Sequence, residues 1–131
     1  MNRVTEMLKL KTWAIVGATD NKSKFGYKIF QAMKKAGLSV YPVNPGVKEI
    51  DGQPCYASLG ELPIIPEAVD MVVPPKVGEQ IVRQCAQLGI RHIWFQPGAD
   101  SKELMALSDS LHLNTVHNAC IMVELRKEGA N

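Results

Sequence analysis

The fold class predicted by this sequence is α/β: a single doubly wound, mainly parallel sheet of five or six strands with helices on both faces. Three observations predict it. Short apolar runs such as Trp13-Ala14-Ile15-Val16 read as strands buried on both faces. Between them lie stretches in which apolar residues recur every three or four positions, as on the buried stripe of a helix. The two kinds of segment alternate along the chain, and parallel strands need such crossovers, which are right-handed almost without exception.

Val4, Met7 and Leu8 predict a short leading helix, and the run Trp13 to Val16, ended by Gly17, the first strand. Phe25, Ile29, Met33 and Ala36 fall at spacings of four, four and three, giving a helix that Gly37 can cap. Leu38 to Val43 follows as the second strand, closed by Asn44-Pro45-Gly46. Gly52 to Tyr56 reads as a short edge strand and Leu59 to Leu62 as a helical turn before Pro63 and Pro66. Val69 to Val73 predicts a strand stopped by Pro74-Pro75, and Val77, Ile81, Cys85 and Leu88 a helix with Gly89 just past its end. After the strand Ile90 to Phe95, Asp100 and Glu103 have the spacing of N-cap and N3 residues ahead of Leu104, Leu107 and Leu111. Thr115-Val116-His117 is the last strand and Ile121 to Leu125 a final apolar piece.

Length, charge and cysteine use bound the function. The 131 residues predict one domain, with its core over about residues 10–125, able to fold without staples but too short for a second catalytic domain. That favours binding over catalysis. Fifteen Lys and Arg against thirteen Asp and Glu leave a net charge of +2, far from the dense basic surface of a nucleic-acid binder. No apolar run is long enough to span a membrane and no secretory leader opens the chain. Cys55, Cys85 and Cys120 are odd in number and lack metal or disulfide spacing, so a reducing cytoplasm is expected.

In a doubly wound sheet, ligands bind beyond the carboxyl ends of the strands, where the strand order reverses. Five loops reach that edge, beginning at Gly17, Asn44, Pro74, Gln96 and Asn118. The first, G-A-T-D-N-K-S-K-F-G over Gly17 to Gly26, opens a helix whose N-terminal amides favour an anion. Thr19 and Ser23 can add hydroxyl donors, and Lys22 and Lys24 can offset phosphate charge. The alternative is that Gly17 merely makes a strand-to-helix turn and the lysines are solvated, but the convergence of Gly, Thr, Ser and two Lys within one loop favours phosphate. Neither G-x-G-x-x-G nor G-x-x-x-x-G-K-[ST] is present, and the second strand ends in Val43-Asn44-Pro45-Gly46 rather than in the acid that holds a nicotinamide cofactor's ribose. That neutral loop, with Lys48 beyond it, tolerates a phosphorylated ribose, although Asn44-Pro45 is also an ordinary turn pair.

The stretches A-I-V-G-A-T at 14–19, V-Y-P-V-N-P at 40–45, Y-A-S-L at 56–59, V-D-M-V at 69–72, I-W-F-Q-P-G at 93–98 and N-A-C at 118–120 together carry a resemblance. The chain resembles the stand-alone coenzyme A-binding proteins of Rossmann type, relatives of the amino-terminal coenzyme A-binding domain in the α subunit of succinyl-CoA synthetase. The resemblance implies coenzyme A or an acyl-CoA as ligand. Gly17, Ala18, Thr19, Lys22 and Ser23 would hold the diphosphate. Asn44 and Pro45 would border the adenosine and Lys48 meet its 3′-phosphate. Val73 and Pro74 would flank the nucleotide or the start of the pantetheine arm, and Phe95, Gln96 and Gly98 would line the arm's path. The run from Asp70 to Pro74 is shorter than is usual in the family.

The phosphorylated histidine of those synthetases belongs to a domain outside this resemblance, so no activity transfers with it. His92, His112 and His117 have no partners at triad or metal spacing, and no catalytic or metal-binding residue is assigned. Cys120 stands where the resemblance also has a cysteine, next to the expected end of a ligand that terminates in a thiol. It could form a mixed disulfide there or serve as a small apolar residue. Cys85 reads as core, and Asp70 as a hydrogen-bonded residue at a strand start. Three readings remain open: a coenzyme A-binding protein, a subunit needing an enzyme partner for ligase or transferase chemistry, and a dinucleotide-binding redox module. Pairing of two copies is a further open expectation.

Overall fold

The structure, a computed structural model, describes residues 2–129. Strands β1 (Thr12–Val16), β2 (Ser39–Val43), β5 (Ala68–Met71), β6 (His92–Phe95) and β7 (Asn114–Val116) form one sheet. Its order is β2-β1-β5-β6-β7 and every pairing is parallel. Helices α1 (Arg3–Leu8), α2 (Phe25–Lys35) and α5 (Ile121–Gly129) accompany α3 (Pro75–Leu88) and α4 (Lys102–Ser110). The fold is therefore the α/β, Rossmann-like arrangement, with five strands in the sheet.

Alternation along each strand divides the core in two. Trp13, Ile15, Ala68 and Trp94 face Met7, Ile29, Phe30, Met33 and Ile121 on one side. Ala14, Val69, Met71, Ile93 and Phe95 face Val82, Cys85 and Leu104 on the other. Burying each large side chain here contributes about 1.5–3 kcal/mol before entropy is counted. Trp13 and Trp94 meet edge to face, with ring centroids 6.4 Å apart. At the amino end of β1, the Glu67 carboxylate accepts the Lys11 and Thr12 N–H groups at 2.9 and 3.1 Å, and these bonds hold its pKa below the usual value.

Several expectations are corrected. Instead of an edge strand over Gly52 to Tyr56, β3 (Glu49–Ile50) and β4 (Gln53–Pro54) form an antiparallel hairpin. Its two-residue turn is Asp51-Gly52, both with positive φ, the backbone that such hairpins prefer. Tyr27 Oη donates to Asp51 Oδ2 at 2.7 Å, and Gln31 donates to the same oxygen, fastening the hairpin to α2. In α3 the buried face is Gly78, Val82 and Cys85, so Val77 points outward at 51% exposure. The helix begins at Pro75, and this phase turns Gly78 toward Leu104 of α4. Ser101, not Asp100, caps α4, its Oγ accepting the Leu104 N–H at 3.1 Å. Asp100 instead faces His117 Nδ1 at 3.5 Å. Phe25 leaves the predicted α2 stripe and is 66% exposed, while Gly26 faces inward.

The Asp70 correction is chemical. Asp70 lies within β5, paired with Ile15 and Trp94, and neither carboxylate oxygen has a hydrogen-bond partner. It is fully buried, and desolvation drives its pKa well above the ordinary carboxylate range.

Candidate functional site

The strand order reverses between β1 and β5, because the chain moves from β1 outward to β2 and then returns to β5 on the other side. Crevices at such reversals bind ligands in doubly wound sheets. Gly17 leaves β1 with φ 102°, and a Cβ there would lie 3.1 Å from Val73 Cγ1 and 3.2 Å from Val72 Cβ. Only glycine lets these two loops meet so closely without strain. A Cβ on Gly26 would collide with the Gly17 carbonyl oxygen, so the start of α2 is also pressed onto the loop.

Asn44 ties in the loop after β2. Its Nδ2 donates to the Ala18 carbonyl at 2.8 Å, while its Oδ1 accepts the Gly46 N–H at 2.9 Å. The Gly17 N–H in turn donates to the Val43 carbonyl at 3.0 Å. Sequence-predicted residues Gly17, Ala18, Asn44 and Val73 are thereby brought together at the crevice. Pro45, Lys48, Lys22 and Ser23 are exposed around it, and Thr19 is half-buried.

The hydroxyls are partly committed within the loop. Thr19 Oγ1 accepts the Asn21 N–H at 3.2 Å, and Ser23 Oγ donates to Asn21 Oδ1 at 2.7 Å. Ser23 thus spends its proton on Asn21, whereas Thr19 keeps its own to donate. Lys24, the N-cap of α2, supplies no side-chain cap, which leaves first-turn amides for an acceptor from outside. A diphosphate suits this cradle: close backbone approach at Gly17, uncapped amides and two lysines in one loop.

On the other side of the crevice the predicted residues separate. Pro74 N-caps α3 in extended backbone, without a side-chain bond. Phe95 is wholly buried among Val69, Ile93 and Leu104, so its ring supports the sheet and lines no path. Gly98 is exposed in the loop after β6. Gln96 is 5% exposed, its Oε1 accepting the Ile121 N–H at 3.0 Å and its Nε2 lying 3.5 Å from Cys120 Sγ. Trp94 Nε1 donates to the Ala119 carbonyl at 2.9 Å, fixing the loop that carries Cys120.

Gln96 and Cys120 line a pocket of about 310 Å³ with Phe25, Ile29, Val72 and Pro97. Sequence reasoning missed Phe25, Ile29, Val72 and Pro97 as pocket residues. The signal was available for Phe25, an aromatic residue that opens α2 directly after an otherwise polar loop. Among the described residues no cluster of His, Cys, Asp or Glu could hold a metal ion, and no helix is long and apolar enough to cross a membrane. Burial pushes the Cys85 thiol up to about 12 and raises that of Cys55, whose Sγ approaches the Asn44 carbonyl at 3.8 Å.

Residues 11–126 match a family described as CoA binding domain. An ADP-forming acetate–CoA ligase II subunit alpha from Pyrococcus furiosus is 33% identical over 81 residues, 61% of this chain and 18% of that subunit. The chain spans between 11% and 19% of the length of the acetate–CoA ligases that it matches. Among solved structures, a conserved hypothetical protein from Pyrococcus furiosus is 39% identical with a TM-score of 0.83, covering 87% of this chain and 98% of its own. A hypothetical protein from Pyrococcus horikoshii is 32% identical with a TM-score of 0.90, covering 95% and 88%.

Proposed function

The chain belongs to the CoA binding domain family, and on that premise we propose that it binds coenzyme A or an acyl-CoA in the crevice between β1 and β5 without performing chemistry on it. The observation that carries this reading is the meeting of the Gly17 loop, Asn44 and Val73 beside the uncapped start of α2. Gly17, Ala18, Thr19 and Lys22 hold the diphosphate, chiefly through backbone N–H groups, and Ser23 helps by fixing Asn21. Asn44 and Pro45 border the adenosine, and Lys48 meets the 3′-phosphate. Val73 and Pro74 flank the start of the arm, and Gln96 and Gly98 its path toward Cys120. Phe95 contributes only by holding the end of β6. Bound coenzyme A supplies a thiol or thioester.

The likeness to a ligase subunit alpha favours a second reading, in which this chain presents the coenzyme to an enzyme partner. Calorimetric titration with coenzyme A, 3′-dephospho-coenzyme A, NAD and ADP tests the first reading. Coenzyme A should bind tightest, and Lys48→Ala should bring its affinity down to that of the dephospho form. Tighter binding of NAD would overturn the assignment. Co-purification of a partner chain whose acyl-CoA chemistry needs this one would establish the second reading instead.

A further inference from the structure

The pocket formed by Phe25, Ile29, Val72, Gln96, Pro97 and Cys120 adjoins the cradle for the nucleotide, because Phe25 opens α2 and Val72 packs against Gly17. Its residues come from the first turns of α2 and the loops after β5, β6 and β7. Adenosine placed at the β2 edge and diphosphate over β1 leave the rest of the ligand to run toward β6. That is two strand spacings, about 10 Å from β1, and within reach of a pantetheine arm.

The lining is mainly apolar, and it contains one buried polar side chain. Gln96 is clamped by the Ile121 N–H, so its amide group is held next to Cys120 Sγ and cannot swing away. Phe25 forms one wall at the mouth and is 66% exposed, with Lys28 Nζ 5.8 Å from its ring centroid. An aromatic ring left so open at a pocket mouth gains most when an apolar ligand group covers it. The volume of about 310 Å³ is the low end for small-molecule sites and equals roughly ten waters of bulk liquid. That holds an acyl group of several carbons and is too small for a long fatty chain.

We propose that this pocket receives the acyl end of a short- to medium-chain acyl-CoA, with the thioester beside Gln96 and Cys120. The proposal rests on the coenzyme A reading and adds that the preferred ligand is the thioester.

Titration with coenzyme A and with acetyl-, butanoyl-, hexanoyl- and palmitoyl-CoA tests it, on the wild type, Phe25→Ala and Val72→Phe. The wild type should gain about fourfold in affinity per methylene up to the medium chain lengths. Palmitoyl-CoA should fall off that trend. Phe25→Ala should flatten the gain along the thioester series relative to its own affinity for free coenzyme A, and Val72→Phe should abolish it by filling the pocket. Because Phe25 is exposed, its variant folds even where Val72→Phe does not. Binding of free coenzyme A with equal affinity for every thioester would overturn the pocket and leave the coenzyme A reading standing. No binding of any of these ligands would overturn both.

Discussion

Asp70 and the three cysteines are ionisable groups that the same fold treats very differently. With both oxygens buried and unpartnered, Asp70 keeps its proton in the folded state at pH values where the unfolded chain has released it. Its folded pKa is raised, so its contribution is most favourable below the ordinary carboxylate range. Stability should then fall as pH rises toward the folded pKa, with a slope approaching about 1.4 kcal/mol per pH unit. Urea unfolding across that range checks this, and Asp70→Asn should flatten the profile. Asp70→Leu should stabilise the protein by about 1–3 kcal/mol, by removing an unsatisfied polar group from an apolar layer. A wild-type profile as flat as that of the Asn variant would refute the assignment. Among the cysteines, Cys85 is fully buried with its thiol pushed up to about 12, and burial also raises Cys55. Cys120, half-buried at the pocket, should therefore take the adduct when the protein meets coenzyme A disulfide. Its thiol attacks one sulfur, giving a Cys120–coenzyme A disulfide and releasing one coenzyme A thiol. Mass spectrometry should find one adduct on the wild type and none on Cys120→Ser, and an adduct surviving that change would place the reaction elsewhere.

Elements position the site through a few close approaches, and Gly26 provides the tightest. An alanine there has better helix propensity by about 1 kcal/mol, but its Cβ would collide with the Gly17 carbonyl oxygen, a backbone atom that cannot rotate away. Gly26→Ala should lower thermal stability despite the propensity gain and weaken coenzyme A binding by about tenfold or more, as the Gly17 loop is pushed off α2. A variant that melts higher and binds as tightly as the wild type would show that the contact has slack. This contact was invisible in the sequence, where Gly26 is one more small residue inside a helical pattern. Other parts were legible for physical reasons. Five strands could be read from their apolar runs, and Gly17 from the turn it must make after β1. The failures share a cause, since spacing gives the period of a helix but not its phase. Val77 and Phe25 were assigned to buried stripes that the packing rotated toward solvent, and Ser101 won the cap over Asp100 by a single residue. The crevice loops were found because topology dictates where they lie. The pocket was not, because Phe25, Ile29 and Val72 come from elements whose packing the sequence does not specify.

At the scale of the whole molecule, the proposed site draws on both halves of the sheet. The Gly17 and Asn44 loops belong to β1 and β2, whereas Val73, Gln96 and Cys120 follow β5, β6 and β7. A ligand reaching across the reversal therefore couples elements that otherwise meet mainly through the β1–β5 pairing. Free coenzyme A at a hundred times its Kd should add about 2.7 kcal/mol to unfolding. For a chain of this size that is a rise of roughly 10 °C in Tm. The amide exchange pattern should be one-sided. Protection should increase in the loops after β1, β2, β5 and β6 and at the start of α2. The opposite edge, where Glu67 holds Lys11 and Thr12, should gain only what the global stabilisation supplies. If protection stayed within the Gly17 and Asn44 loops while Tm rose, the ligand would be held by its nucleotide alone. If the crevice loops gained no protection beyond what the global stabilisation gives every strand, the ligand would be held elsewhere.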